Sequence, residues 1–299
     1  MIEFRGFTKT FGAHRAVVDL SLEVHRGEAV ALLGPNGSGK TTSLKAAAGL
    51  IRPTRGDVFL GRPGRPATEP DARRDISYLP QKVSFPDALT GHEVVEFYRA
   101  LRGAEPGRTD DVLRFASLNG ASQRAVGTYS GGMVQRLGLA VAMLAEAPVL
   151  LLDEPTAALD PEGLSAFYTL MERRREGQGT VLFTSHQLGD VERLADRFAV
   201  LVEGRLVATL GRAELHERLG DRGVMRVRLA PGGADPAAIL SALGPDAAWS
   251  EDEVVVRGTA SARPAVLDRI RAAGGQIRAI ATEEGRLDLL YRELVGDRQ

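Results

Sequence analysis

The stretch Gly34-Pro35-Asn36-Gly37-Ser38-Gly39-Lys40-Thr41 constrains the fold of this chain more than any other part of it. It satisfies the pattern G-x-x-x-x-G-K-[ST] at every fixed position. Upstream, Glu28-Ala29-Val30-Ala31-Leu32-Leu33 is a short apolar run that predicts a buried strand. Downstream, Thr42 to Leu50 is rich in helix formers. A strand, a glycine loop and a helix in that order form a cradle for an anion. The glycines let the backbone curl until successive N–H groups face one point, and the helix N-terminus adds partial positive charge there. In such a cradle Lys40 reaches the β- and γ-phosphates of a nucleotide. The Thr41 hydroxyl ligates Mg²⁺, and Thr42 belongs to the same nucleotide-facing set.

A second segment supplies acid. Val149-Leu150-Leu151-Leu152 is apolar throughout, as in a parallel strand buried on both faces, and it runs into Asp153-Glu154-Pro155. Open α/β sheets bind ligands at the C-terminal edge of their strands, where these two carboxylates fall. Asp153 is placed to hold Mg²⁺, and Glu154 to take a proton from the water that attacks the γ-phosphate.

The 299 residues suffice for one large or two modest domains with a sizeable core. Lys and Arg number 38 against 39 Asp and Glu, so charge gives no case for nucleic acid as a partner. There is no cysteine, which excludes disulfides and thiolate metal sites. The five histidines are scattered without metal-ligand spacing. The start, Met1-Ile2-Glu3-Phe4-Arg5, has no signal-peptide character. Leu137 to Leu152, the greasiest region, is broken by Glu146 and Pro148 and is too short to span a bilayer. A cytoplasmic protein is expected, any membrane role passing through a partner.

Along the chain, Ile2–Phe4 and Leu20–Val24 alternate as half-buried strands do, Gly56–Gly61 and Ile76–Pro80 predict two more, and Arg62–Pro70 predicts a loop. From about residue 88 to 147 the texture is helical, with Glu93–Leu101 and Asp110–Leu118 as amphipathic helices. The sequence Tyr129-Ser130-Gly131-Gly132-Met133 then precedes a long apolar helix. Helix Leu164–Arg175, strand Thr180–Thr184, helix Leu188–Ala195 and strand Phe198–Val202 continue an α/β alternation, predicting a parallel core. Past residue 222 the order becomes βαββαβ, which predicts a small α+β domain of ferredoxin-like type. The expected domains are therefore 1–218 and 222–299.

Tyr129-Ser130-Gly131-Gly132-Met133-Val134-Gln135-Arg136 resembles the signature sequence of ATP-binding cassette (ABC) ATPases, and it lies just upstream of the acidic strand, as in that family. It departs from the usual Leu-Ser-Gly-Gly-Gln at Tyr129 and Met133, and neither departure removes a phosphate donor. The other family markers follow in order. Gln81 matches the glutamine that touches Mg²⁺ and the attacking water. Ala158-Leu159-Asp160 matches the loop that crosses the dimer interface. His186 matches the histidine on the γ-phosphate, and Phe11 the aromatic that stacks on adenine, although a lone Phe is as well placed in a core.

The resemblance covers residues 1 to about 215. It implies a P-loop ABC ATPase core with an antiparallel β subdomain and a helical subdomain. It also implies ATP and Mg²⁺ as cofactors, and hydrolysis by Glu154 with His186, Gln81 and Lys40. Two copies pair head to tail in this family, each closing its Ser130-Gly131-Gly132 over the other's ATP. Separate membrane permease subunits complete the transporter and hold the ATPase at the inner face of the membrane. Within the family the chain is most similar to export-type subunits, and among them to the NosF type, the ATPase of a copper-processing transporter that matures nitrous-oxide reductase. The segments Phe97–Gly103 and Leu287–Leu294 carry that likeness, which implies copper or a sulfur species as cargo and a periplasmic accessory protein reached through the permease. Drug and antibiotic exporters share much of the same pattern. A soluble ABC ATPase acting on ribosomes or DNA is the alternative of another class.

Overall fold

The computed structural model describes residues 1–61, 64–157, 159–185, 188–220, 223–230, 235–250, 253–258 and 262–283. The chain divides into two compact units, Met1–Leu210 and Gly211–Gln299. The division falls ahead of the boundary near 218 that the sequence suggests. The pattern shows no break there, because one strand (Arg205–Gly211) runs directly into a helix (Arg212–Gly220).

The first unit opens with an antiparallel sheet. Strands β1 (Ile2–Phe11) and β2 (His14–Val24) form a hairpin closed by Gly12-Ala13, and β4 (Arg55–Leu60) and β5 (Arg65–Pro66) extend it in the order β2-β1-β4-β5. The predicted loop at 62–70 thus contributes a two-residue strand, paired Phe59↔Pro66 and Leu60↔Arg65. The second sheet holds β3 (Ala29–Leu33), β6 (Ile76–Leu79), β7 (Val149–Asp153), β8 (Thr180–Thr184), β9 (Arg197–Val202) and β10 (Arg205–Gly211), in the order β10-β9-β3-β8-β7-β6. Strands β3, β6, β7, β8 and β9 pair in parallel. Every residue of β3, β7 and β8 is buried, as expected for a parallel sheet covered on both faces.

Helix α1 (Lys40–Ala47) lies between the two sheets. Its Leu44, Ala46 and Ala47 share one core with Ile2, Phe4, Phe7 and Leu20 of the first sheet and Val30, Leu32, Leu151 and Leu182 of the second. The small side chains of α1 let both sheets approach it closely.

Helices α2 (Gly91–Arg102), α3 (Arg108–Phe115) and α4 (Gly131–Met143) form the helical subdomain around Val94, Val95, Val112, Leu113, Leu137 and Ala140. A capping box starts α2: the Glu93 N–H donates to Thr90 Oγ1 at 3.1 Å, and the Thr90 N–H to Glu93 Oε2 at 2.8 Å. Ser77 Oγ of β6 donates to the Ala142 carbonyl, tying the parallel sheet to α4. Helices α5 (Pro161–Glu176) and α6 (Leu188–Leu194) follow β7 and β8.

The second unit comprises α7 (Arg212–Gly220), β11 (Gly223–Leu229), α8 (Pro236–Leu243), β12 (Ala247–Ser250), β13 (Glu253–Gly258), α9 (Arg263–Ala272) and β14 (Ile277–Glu283). Its sheet is antiparallel in the order β12-β13-β11-β14, the split βαβ arrangement, over a core of Met225, Val227, Ile239, Val254 and Ile270. The segment Leu287–Leu294 lies outside the described residues.

Candidate functional site

The glycine loop joins β3 to α1 with Pro35, Asn36 and Gly37 exposed at its crest and Gly34, Ser38 and Gly39 buried at its base. Gly34 (φ 147°) and Gly39 (φ 98°) have no room for a side chain. A Cβ at Gly34 would lie 2.1 Å from the Leu201 carbonyl oxygen, and one at Gly39 would lie 2.5 Å from that of Ala16. Backbone from β9 and β2 therefore presses the loop into shape. Gly39 is the N-cap of α1 and offers no side-chain acceptor, so the helix starts without a built-in anion mimic.

Lys40 folds over this loop. Its Nζ donates to the Gly34 carbonyl at 2.8 Å and to the Pro35 carbonyl at 3.0 Å. Burial pulls its pKa down, with Glu154 and Asp153 acting the other way. An ammonium ion held in a place short of water gains most from an incoming polyanion.

Asp153 ends β7 and is 1% exposed. Its Oδ1 accepts from Thr41 Oγ1 at 3.1 Å and from Thr184 Oγ1 at 2.8 Å. Its Oδ2 is buried without a hydrogen-bond partner, as is Ser38 Oγ. Burial raises the Asp153 pKa; the two threonine hydroxyls oppose this, and Glu154 adds to it. A buried carboxylate oxygen without a donor is costly, and a hard dication relieves that cost through oxygen ligands. The groups at this edge include oxygen ligands: the Asp153 carboxylate, the Thr41 hydroxyl bonded to it, and the side-chain carbonyl of Gln81, whose amide bonds Glu154. These residues fit Mg²⁺.

Glu154 has φ 48°, a left-handed conformation rare outside glycine. Its N–H donates to Thr184 Oγ1 at 2.8 Å, and its Oε2 accepts from Gln81 Nε2 at 2.8 Å. Gln81 follows β6, Asp153 and Glu154 close β7, and Thr184 closes β8 in register with Asp153. The C-terminal edge of one sheet thus gathers Lys40, Thr41, Gln81, Asp153 and Glu154.

Other expected residues stand apart from this cluster. Ser130 is the N-cap of α4, its side chain accepting from the Met133 N–H at 3.2 Å, and Gly131 and Gly132 open that helix in the helical subdomain. Asp160 is the N-cap of α5, accepting from the Gly163 N–H at 3.0 Å and from Arg136 at 3.3 Å. Phe11 is 50% exposed, with the Lys9 ammonium 4.9 Å from its ring centroid, so it is not a core residue. Ala158 and His186 lie outside the described residues. The two departures from the usual signature have structural work. Tyr129 Oη donates to the Ala121 carbonyl at 2.8 Å, and a Cβ at Gly91 would meet that hydroxyl at 2.3 Å. Met133 packs on the helical core.

Two residues escaped the sequence argument. Thr184 is the hinge between Asp153 and Glu154, and its only trace is a polar residue ending an apolar strand. Arg136 is buried on α4 and donates to the Ala116 and Ser117 carbonyls at 3.2 and 3.1 Å as well as to Asp160, tying the helical subdomain to the start of α5.

Comparison with known proteins agrees with this geometry. The ABC transporter family model matches residues 17–157. The daunorubicin/doxorubicin resistance ATP-binding protein DrrA of Streptomyces peucetius is 36% identical over 81% of this chain and 74% of its own length. The Nod factor export ATP-binding protein I of Burkholderia orbicola (strain AU 1054) is 35% identical over 84% of this chain and 82% of its own. Among solved structures, the ATP-binding cassette MJ0796, a dimer in a post-hydrolysis state bound to ADP and Pi, superimposes with a TM-score of 0.65 at 27% identity. That match covers 71% of this chain and 99% of that one. With the nucleotide cradle, the acid pair and the signature helix assembled in one unit, the chain belongs to the ABC transporter family as an ATP-binding cassette ATPase.

Proposed function

We propose that this protein is the ATPase subunit of an exporter, working as a head-to-tail dimer that drives separate membrane subunits. One observation carries the proposal: hydrogen bonds through the Thr184 hydroxyl join Thr41, Asp153, Glu154 and Gln81, and Lys40 is bonded to the glycine loop on the same sheet edge, while Ser130–Gly132 stand outside this cluster on α4. A phosphate chain held by Gly34–Thr42 then has one wall from its own chain, and Ser130–Gly132 of a second copy supply the other. The dimeric structure of MJ0796 supports this arrangement.

In the proposed cycle Phe11 stacks on adenine and Lys40 holds the β- and γ-phosphates. Thr41, Asp153 and Gln81 would hold Mg²⁺, which when bound would neutralise charge on the phosphates. Glu154 takes the proton of the attacking water, positioned with Gln81, and His186 contacts the γ-phosphate. General-base help of this kind is worth roughly 10²–10⁴ in rate. ATP favours the closed dimer and product loss reopens it, so work comes from differential affinity for the two states. Asp160 serves at the dimer interface.

Among the described residues no helix is long and apolar enough to cross a membrane, so permease subunits would supply the path and hold the protein at the membrane. The names of the relatives favour organic cargo such as a drug over copper or a sulfur species, for which the sequence likeness at Phe97–Gly103 and Leu287–Leu294 is the support. Affinity purification from detergent-solubilised cells tests the class. An integral membrane protein co-purifying in stoichiometric amount is expected, and co-purification of ribosomes or DNA instead would overturn the transport assignment.

A further inference from the structure

Between Glu154 and Asp160 the chain makes two successive turns, the Ala157 N–H bonding the Glu154 carbonyl at 3.3 Å and the Leu159 N–H bonding the Thr156 carbonyl at 3.1 Å. Thr156, common to both turns, is 5% exposed. Its hydroxyl donates to Asp190 Oδ2 at 2.5 Å. Asp190 stands on α6, four residues beyond His186, and is 4% exposed. Its Oδ1 accepts from the Tyr168 hydroxyl of α5 at 2.6 Å. Tyr168 is held in turn by the Arg193 guanidinium, 3.8 Å from its ring centroid, and Arg193 pairs with Glu172 at 3.2 Å. Burial, and after it the Asp190 carboxylate, pushes the Tyr168 hydroxyl up to about 12, so it remains a donor at neutral pH.

A carboxylate is seldom withdrawn this far from water, and here both of its oxygens are committed to hydroxyls of other segments. The bond to Thr156 reaches the turn that starts at Glu154. Glu154 itself is held in a left-handed conformation, which persists only where its surroundings over-determine it. The Thr184 hydroxyl fixes the N-terminal side of that residue. On the C-terminal side the Ala157 N–H holds the Glu154 carbonyl, and the bond from Thr156 to Asp190 anchors the same turn to α6.

We propose that Asp190 is a positioning residue for ATP hydrolysis, aiming the Glu154 carboxylate through its bond to Thr156 from the helix that follows His186. The inference rests on Glu154 as the general base. A single buried hydrogen bond thereby links the segment carrying the base to the segment carrying the γ-phosphate histidine.

Thr156→Val removes the hydroxyl at nearly constant volume, Thr156→Ser restores it, and Asp190→Asn keeps the volume but cannot accept both hydroxyls. Steady-state ATP hydrolysis and Tm are measured on the full chain for each, with Glu154→Gln alongside. Misaiming a catalytic group costs tenfold to about a hundredfold, so Thr156→Val and Asp190→Asn should lower kcat by at least about tenfold. KM for ATP should stay within about twofold, because ground-state binding is untouched. Thr156→Ser should return kcat to near the wild-type value, which a role in stability alone does not require. Wild-type kcat in Thr156→Val, a loss that Thr156→Ser leaves unrepaired, or an equal change in KM would each overturn the inference. If those results accompany an inactive Glu154→Gln, the positioning role fails alone; near-normal turnover by Glu154→Gln would remove the base assignment and the inference with it.

Discussion

At the scale of single residues, the site is a set of polar atoms kept dry. Asp153 Oδ2 and Ser38 Oγ are buried without partners, and Lys40 is withdrawn from solvent with only backbone carbonyls to bond. Each of these is a cost that nucleotide and Mg²⁺ would remove. Phe11 is different, because it is exposed and carries little of the core. Phe11→Ala should weaken ATP binding by about 1 kcal/mol while leaving Tm nearly unchanged. Titration calorimetry with ATP checks this, and an unchanged affinity would take Phe11 out of the adenine site. Most of the site was legible residue by residue, because Lys40, Thr41, Asp153 and Glu154 sit at fixed offsets in recognisable segments. Thr184 and Thr156 were not, since a threonine hydroxyl carries no signal until the strand or turn beside it is known.

At the scale of elements, the site depends on strands ending at one level. Arg197 at the start of β9 pairs with Val30 of β3, and its side chain clamps Glu28 just before β3, Nε to Oε1 at 2.6 Å and Nη2 to Oε2 at 2.9 Å. Burial alone would raise the Glu28 pKa. Arg197 and the His25 N–H together outweigh it and hold the carboxyl below its ordinary value. A depressed pKa in the folded state stabilises the fold above the unfolded-state pKa of about 4.3, and that stability is lost as pH falls through the folded value. Glu28→Gln should therefore cost about 1–2 kcal/mol near neutral pH, after allowance for solvent screening. The gap from wild type should narrow in denaturant titrations as pH is taken from neutral to below about 4.3 and towards the lowered folded-state value, where the carboxyl loses its charge. An equal gap at neutral and at low pH would mean that packing, not charge, holds the clamp.

The buried strands β3, β7 and β8 were plain in the sequence because each is apolar from end to end. The hairpin β1–β2 was seen only at its outer ends, since register shifts between Phe4 and Thr10 break the alternation. Strand β10 was missed because its turn, Glu203-Gly204, has positive φ at both residues, and glutamate is not the residue such a turn announces.

At the scale of the whole molecule, the proposal makes the loop Gly34–Thr41 half of a site. The parallel sheet presents the cradle, the acids and Gln81 along one edge, whereas the signature residues cap a helix of the helical subdomain. In the proposed dimer a second copy would complete the site, with ATP joining the two walls. The βαββαβ order of the second unit was readable from spacing alone, but its contribution to the cycle was not, because its core of Met225, Val227, Ile239, Val254 and Ile270 is ordinary packing. The most direct test is sedimentation velocity on Glu154→Gln and on Lys40→Ala/Glu154→Gln, each with ATP and Mg²⁺. With hydrolysis blocked, the single variant should sediment as an ATP-dependent dimer. The double variant, lacking the ammonium that grips the β- and γ-phosphates, should stay monomeric. A double variant that dimerised as tightly on ATP, or a single variant that stayed monomeric, would contradict the shared site.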